Sequence, residues 1–255
     1  MLKKILLLIF FLSICTSNVH IVRAESNIKN YDVYIKTYKR NANQIEFAQI
    51  KGMKNKKKQT EINYLLEHEI FSYLTELYNY WGQEDDPNYK VKNILQTISD
   101  DKSGVLEFTC HAGYESDKLL SIYYEVYSYC YGGLHPNTWG FAYTLDLENL
   151  KVVHLSDFIN INNSILDLCC VDVFDRGYDP TPMNNGDDKL IDVLSNNGLY
   201  NKYEVLEKLR TDNVSWYITK NKELSFFYNF QNQDLEFVID FISIKDMLKK
   251  DYMLE

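Results

Sequence analysis

One turn-like segment carries the residue types best suited to local chemistry in this chain. It reads Tyr131-Gly132-Gly133-Leu134-His135-Pro136 and follows a strand-like run of residues. Paired glycines permit a positive φ or a close backbone approach, and a histidine in such a turn can serve as a hydrogen-bond hub or as part of a surface. We therefore consider both a binding turn and a specialised connection between strands. The candidate residues are Tyr131, Gly132, Gly133, His135 and Trp139.

The histidines and acidic clusters lack the spacing of common metal sites. Glu67-His68-Glu69 supplies one histidine where a zinc-binding helix needs two histidines four residues apart. Residues 184–188 read Asn-Asn-Gly-Asp-Asp, without the alternating ligands and distal glutamate of an EF-hand loop. A metal site assembled from distant strands stays open, but neither a metal nor a cofactor is predicted.

Motifs for covalent catalysis and phosphate binding are also missing from the sequence. No Gly-x-Ser-x-Gly elbow and no Gly-x-x-x-x-Gly-Lys loop occur. Paired carboxylates can hydrolyse glycosidic bonds, yet neighbours such as Asp187-Asp188 are expected by chance among 36 acidic residues. We therefore expect a protein that is not an enzyme. A small cell-wall hydrolase that uses carboxylates or His135 is kept as an alternative.

Tyrosine is unusually frequent, with 21 residues in the chain. Many of these tyrosines cluster at Tyr123-Tyr124, Tyr127, Tyr129 and Tyr131. Tyrosine offers a rigid amphipathic contact area suited to protein or sugar binding, and it also fills half-buried strand positions. The sequence leaves both explanations open.

The first 24 residues have the layout of a secretory signal peptide. Lys3 and Lys4 precede the apolar stretch 5–15, and Ala24 ends a small-residue cleavage site. The apolar run is too short for a membrane span, which needs about 18 or more residues. Cleavage would leave 24 basic and 36 acidic residues, a net charge of −12. We expect an exported protein without a stable membrane span, and its acidity argues against nucleic-acid partners.

Four cysteines would remain in the exported chain: Cys110, Cys130, Cys169 and Cys170. Export permits disulfides, but four cysteines allow three pairings and their spacing does not choose among them. Buried unpaired thiols and a Cys110–Cys130 bridge are both compatible with the sequence.

Hydrophobic periodicity predicts strands, helices and their order along the chain. Alternating or continuous apolar residues predict strands at 31–38, 44–50, 105–111, 119–129, 138–146, 151–154, 214–219, 224–230 and 237–241. Residues 59–81 have the spacing of an amphipathic helix, with Thr60 as a candidate N-cap after a solvated basic turn at 54–58. Ser156 is expected to cap an apolar stretch towards 174, and further helices are predicted at 189–194, 203–209 and 244–250. This arrangement predicts an α+β fold of antiparallel sheets packed with a few amphipathic helices.

Three segments around the turn resemble the extracellular domain of the lysozyme-sensing anti-sigma factor RsiV. They are Tyr129-Cys130-Tyr131-Gly132-Gly133-Leu134-His135, Ala142-Tyr143-Thr144-Leu145-Asp146-Leu147 and Val153-His154-Leu155-Ser156-Asp157-Phe158. Upstream, Ile50-Lys51-Gly52 and Glu61-Ile62-Asn63 resemble the domain that precedes the catalytic domain of the peptidoglycan deacetylase PdaC. The sequence departs from the family at Leu134 and Pro136, and its segment 229–235 is shorter than the family's aromatic loop.

The resemblance implies an organisation and a function. It divides the chain into a signal peptide at 1–24, a PdaC-N-terminal-like α+β domain at 25–103 and an RsiV C-terminal-like α+β domain at 104–255, expected to form one compact unit. It implies a secreted or envelope-associated, stand-alone bacterial binding module without catalysis, whose partner is a lysozyme-like basic protein or peptidoglycan. A structural envelope protein without a ligand is a further alternative.

Overall fold

The computed structural model describes residues 30–82, 88, 90–172, 202–212, 214–230, 233–249 and 252. The predicted signal peptide, the polar residues 84–87, the loop 175–188 and the predicted helix 189–194 lie outside these residues. The described part of the chain contains two β-sheets, one long helix and several short helices. The prediction of an α+β fold is confirmed.

A six-stranded sheet forms the larger part of the fold, with strand order β1-β2-β3-β4-β5-β6. Its strands are β1 (Asp32–Arg40), β2 (Asn43–Lys51), β3 (Gly104–Glu115), β4 (Leu119–Cys130), β5 (Asn137–Asp146) and β6 (Lys151–Val152). Neighbouring strands are antiparallel except β2 and β3, which pair in parallel at Gln44–Glu107 and Ile45–Phe108. The predicted domain boundary between residues 103 and 104 would separate these two paired strands, and it stays a prediction.

Helix α1 (Lys56–Gly82) covers one face of this sheet. It buries a stripe spaced by four residues, because every fourth position lies on nearly the same side of a helix: Ile62, Leu66, Ile70, Leu74 and Tyr78. Asn63 fixes the helix to β2, since its side chain accepts a hydrogen bond from Ile50 N at 2.7 Å and donates one to Ile50 O at 3.0 Å. Helix α2 (Ile94–Asp100) follows and begins at the capping residue Asn93.

A second sheet has strand order β7-β10-β9-β8 and is antiparallel throughout. Its strands are β7 (Cys170–Asp172), β8 (Ser215–Ile218), β9 (Glu223–Phe230) and β10 (Gln233–Asp240). The short helices α3 (Leu155–Phe158), α4 (Ile165–Leu168), α5 (Lys202–Arg210) and α6 (Phe241–Ile244) pack with one face of it in a separate hydrophobic core. The opposite face of this sheet packs on β5 and β4 through Ala142, Tyr217, Phe227 and Tyr123.

Three predicted helix boundaries are wrong, and at two of them another polar side chain caps the helix. Helix α1 begins at Lys56 rather than after Thr60, since Asn55 Oδ1 accepts a hydrogen bond from Lys58 N at 3.0 Å. The basic residues 56–58 therefore belong to its first turn. Helix α3 begins after His154, and the hydroxyl of Ser156 donates to Asp212 at 2.6 Å instead of capping. The closing helix begins at Phe241, where Asp240 accepts from Ile242 N, and continues as a 3-10 turn over Lys245–Met247.

Within the described residues, none of the helices has the length and apolar character needed to cross a lipid bilayer.

Candidate functional site

The predicted glycine turn joins β4 to β5. Gly133 N donates a hydrogen bond to Cys130 O at 2.9 Å, and Gly132 has a φ of 90°. A positive φ at the third residue of a four-residue turn is the arrangement of a type II turn, which favours glycine at that position. The residue that needs the backbone freedom of glycine is therefore Gly132.

Aromatic and apolar side chains at this turn face solvent. Tyr131 is 60% exposed and Leu134 is fully exposed. The ring of Tyr131 meets that of Tyr129 edge-on, with centroids 6.3 Å apart, and Tyr131 N donates to Ser103 O at 2.8 Å. The turn thus holds its exposed tyrosine on a hydrogen-bonded backbone, where the ring is accessible to a partner.

The other two predicted site residues have separate environments. His135 is exposed, and its Nδ1 lies 3.2 Å from Pro136 O. No carboxylate lies within 4 Å of its ring nitrogens in the described part of the chain. Trp139 is half-buried on the α1 side of the sheet, where its Nε1 donates to Tyr73 Oη at 2.7 Å. The turn and Trp139 therefore do not form one continuous site.

The open face of β3 and β4, opposite α1, carries a row of tyrosine, glutamate and histidine side chains. Glu107 pairs directly with Tyr127, Thr109 with Glu125, and His111 with Tyr123. Tyr127 is 36% exposed, and the side chains of Glu125 and His111 are 39% and 35% exposed. We call Glu107, His111, Tyr123, Glu125 and Tyr127 the open face. Tyr124, by contrast, is fully buried on the α1 side.

Stacked rings connect the open face to the second sheet. The ring of His111 stacks on Tyr123 at 4.7 Å, Tyr123 on Tyr217 at 4.5 Å, and Tyr217 on Phe227 at 5.9 Å. His111 Nε2 lies 3.5 Å from Glu125 Oε1, and this nitrogen makes no hydrogen bond within the described residues. The ring stack joins one end of the open face to the second sheet, since both sheets contribute rings to it.

A buried glutamate lies between the two sheets at the end of this stack. Glu236 is 4% exposed, and its Oε1 accepts hydrogen bonds of 2.5 Å from both Tyr217 Oη and Ser225 Oγ. Burial, followed by the negative charge of Glu236, raises the pKa of Tyr217 well above its usual value. Burial, followed by the charges of Glu125 and Glu236, also raises the pKa of Tyr123. Tyr217 therefore stays a neutral hydrogen-bond donor to Glu236, and the enclosed carboxylate is out of reach of a large substrate.

Glu236, Ser225 and the open face were not among the site residues predicted from the sequence. One pattern in the sequence indicates the open face: side chains alternate along a strand, which places residues 123, 125 and 127 on the face opposite residue 124. A second signal was the polar Ser225 between the apolar residues of β9. Neither signal reveals that the second sheet covers only one end of that face.

Helix α1 carries another histidine beside a hydroxyl and a carboxylate. His68 Nδ1 lies 3.4 Å from Ser72 Oγ and 3.6 Å from Glu69 Oε1. A Ser-His-acid relay uses both ring nitrogens, whereas both contacts here involve the same nitrogen. An open groove of about 480 Å³ runs along this helix, with Tyr64, Phe71 and Glu76 among its lining residues. Among the described residues, no group of three or more His, Cys, Asp or Glu could hold a metal ion.

The cysteines do not form the bridge considered from the sequence. Cys130 pairs with Gly104, six positions along β3 from Cys110. Six strand residues span about 20 Å, and a disulfide requires Cα atoms about 4.4–6.8 Å apart. Cys110 is a buried free thiol and Cys130 an exposed one, and Cys169 is buried with its Sγ donating to Ile165 O at 3.2 Å. Cys169 follows α4, and Cys170 begins β7, so the stretch around them is not one continuous helix.

Two crystal structures of DUF3298 family proteins are similar to this chain. A family member from Bacteroides fragilis aligns over 88% of this chain and 94% of its own, with 16% identity and a TM-score of 0.45. A family member from Pseudomonas aeruginosa aligns over 89% of this chain and 97% of its own, with 11% identity and a TM-score of 0.47. No protein-family model and no curated protein matches the sequence. At these identities and TM-scores, the likeness assigns no function to the chain.

Proposed function

We propose that this chain is an exported, non-catalytic binding module of the bacterial envelope and that its partner is a basic, lysozyme-like protein. The observation that carries the proposal is the open face, where the partly exposed Tyr127 has two glutamates, Glu107 and Glu125, as neighbours. Glu107 is opposite Tyr127 in the β3–β4 pair, and Glu125 is two residues before it on the same side of β4.

This arrangement suits a cationic side chain of a partner. Directly opposed residues on one face of an antiparallel pair have Cβ atoms about 4.5–5.5 Å apart. On β5 the neighbour of Tyr127 is the small residue Thr138, and Tyr127 stays 36% exposed, whereas the ring of Phe227 covers Gly140 beside Glu125. An arginine or lysine can therefore contact the ring and one carboxylate together, combining a cation–π contact with a charged hydrogen bond.

The net charge of the chain favours the same partner class. The formal charge is −9, with 36 acidic residues against 27 basic ones. Opposite net charges accelerate association, about tenfold or more at low salt. At physiological ionic strength the screening length is about 8 Å, so steering weakens while contacts on the open face persist.

The family resemblance described from the sequence supports a lysozyme-like partner, with the exposed Tyr131 turn as a second contact region. Peptidoglycan is the alternative partner, because the exposed rings of Tyr127 and Tyr131 offer flat faces on which sugar rings can stack. The two partners are distinguished by measuring binding to lysozyme and to purified cell-wall fragments separately.

Isothermal titration of lysozyme into the chain from Glu25 onwards tests the proposal. We expect binding heat at about 20 mM salt, and binding about tenfold weaker at about 150 mM. The pair of substitutions Glu107→Gln and Glu125→Gln should weaken binding about tenfold. The matched control is Glu204→Gln with Glu207→Gln, which makes the same charge change on the exposed side of α5. Failure to form a complex at either salt concentration would refute the lysozyme-like partner.

A digestion assay tests the hydrolase alternative. Purified peptidoglycan is incubated with the chain, and soluble fragments are measured. A binding module releases no more fragments than a buffer control. Release that is lost in His135→Ala, with lysozyme binding unchanged, would establish the hydrolase instead.

A further inference from the structure

The two sheets end in four edge strands, and one of these differs from the others. Among the described residues, β6, β7 and β8 have two, three and four residues, whereas β1 has nine. Short edge strands prevent a sheet from pairing with another chain. Of these four, the edge of β1 is the one long enough to hold an added strand; β5, which β6 pairs only at Leu145 and Asp146, has the second sheet packed on it at Gly140 and Ala142.

Strand β1 also lacks a bulge and a proline, two features that block an edge. It pairs with β2 over its whole length in a continuous register without a bulge, and it contains no proline. Ile35, near its middle, is 40% exposed. Helix α2 contacts this strand through the hydroxyl of Tyr38, which lies 2.5 Å from Ser99 Oγ.

Positive charge is concentrated along this strand although the whole chain is acidic. Lys36, Lys39 and Arg40 are exposed, against the single acidic residue Asp32. Lys36 Nζ lies over the ring of Phe47 at 5.9 Å, and Lys39 Nζ donates to Gln44 Oε1 at 3.4 Å. None of the three cations has a carboxylate within 4 Å in the described part of the chain. Cations on an edge repel cationic strands, and they attract an acidic one.

We propose that the edge of β1 is a strand-addition site for an extended acidic segment of a partner protein. Backbone hydrogen bonds to β1 supply affinity in this mode of recognition, and side chains select the partner. Here Lys36 and Arg40, which lie on the same face of the strand, select carboxylates, and Lys39 lies on the opposite face. An antiparallel second copy centred on Lys36 would place the two Lys36 side chains opposite each other, and this disfavours self-pairing. The site is distinct from the open face and does not depend on the function proposed for it.

Three capped nine-residue peptides test the proposal by fluorescence anisotropy with the full chain at about 150 mM salt. The first alternates glutamate and threonine. The second has lysine in place of glutamate, and the third has proline in place of threonine, which keeps the charge but removes backbone donors. We expect the glutamate–threonine peptide to bind about tenfold more tightly than either control. Equal binding of the proline peptide, or no binding of any peptide, would overturn strand addition.

A charge-reversed variant identifies the binding edge. Combining Lys36→Glu, Lys39→Glu and Arg40→Glu should weaken the acidic peptide about tenfold and strengthen the lysine peptide. The matched control reverses Lys56, Lys57 and Lys58 to glutamate at the start of α1, an equal charge change elsewhere, and should bind like the unmodified chain. Equal loss in both variants would refute the assignment to β1. Light scattering tests whether a second copy of the chain occupies the β1 edge instead. A dimer that dissociates in the β1 variant would show that two copies pair there.

Discussion

The ring of Phe227 in the second sheet occupies the space that a side chain at Gly140 would need. A Cβ built on Gly140 would lie 2.5 Å from the nearest ring atom, closer than any ordinary contact. Gly140→Ala should therefore force the sheets apart or displace the ring, at a cost of about 1–3 kcal/mol in the free energy of unfolding. Chemical denaturation of the purified variant measures this loss.

The double variant Gly140→Ala with Phe227→Leu is the control for that mechanism. The smaller side chain removes the ring, so the double variant should lose less stability than the sum of the two single variants. Strict additivity would show that the contact between Gly140 and Phe227 does not limit the packing of the sheets.

The glycine turn gives a second prediction. Gly132→Ala should destabilise the chain by about 1–2 kcal/mol, because alanine avoids positive φ. Gly132→Asn should cost less, since asparagine tolerates that region. Gly133→Ala should also lower the melting temperature, because its Cβ would lie 3.0 Å from Cys130 O. If Gly132→Ala and Gly132→Asn melt alike, backbone strain is not the cause.

Four buried tyrosines give a prediction at alkaline pH. Burial is the main cause that raises the pKa values of Tyr31, Tyr124, Tyr143 and Tyr217 in the folded chain. A pKa raised above the unfolded value of about 10 favours the folded state fully below pH 10, and this stability is lost as the pH rises further. The free energy of unfolding should therefore fall steeply as the pH rises above about 10.

Absorbance of tyrosinate near 295 nm measures this effect during a pH titration. The four buried rings should ionise together with unfolding. In Tyr143→Phe the free energy of unfolding should fall less steeply with pH above pH 10, by the contribution of about one titrating proton. Reversible ionisation of all tyrosines with unchanged circular dichroism would contradict the prediction.

Cysteine reactivity provides a further test. Burial raises the pKa of the Cys110 thiol to about 12, so very little thiolate is present at pH 8. Cys169 is buried and donates to Ile165 O. We expect iodoacetamide to label Cys130 in the native chain, and Cys110 and Cys169 only after unfolding, as mapped by mass spectrometry. A peptide linked through Cys110 and Cys130 would instead demonstrate the disulfide.

Export is tested by N-terminal sequencing of protein purified from its native host. We expect the sequence to begin near Glu25, because Ala24 ends the predicted cleavage site. Membrane-bound protein that retains Met1 would refute the signal peptide.

Strand positions could be predicted from the sequence because half-buried strands impose a two-residue period. That period is clear in β4, where Ile122, Tyr124 and Val126 are buried and Tyr127 is exposed. Helix ends were harder to predict from the sequence, because several polar residues near each end can cap the helix. Tertiary contacts determine which of them does. Ser156 illustrates this point, since its hydroxyl bonds to Asp212, a residue far along the chain.

Only part of the candidate site could be predicted from the sequence. Gly132 could be recognised because its neighbours form a turn signature within a few residues. The open face could not, since it depends on the register that places Glu107 beside Tyr127 and on which face α1 covers. The pairing of Tyr217 with Glu236 depends on two strands of a second sheet, and local pattern carries no information on that pairing.

The parallel pairing of β2 with β3 has a consequence for the order of folding. The hairpin β1–β2 and the meander β3–β4–β5 each connect neighbouring segments, whereas β2 meets β3 only after residues 52–103 have closed a loop. Closing a long loop costs chain entropy before any contact compensates it. The two local units should thus form early, and their junction at Ile45–Phe108 should be the late, rate-limiting event of folding.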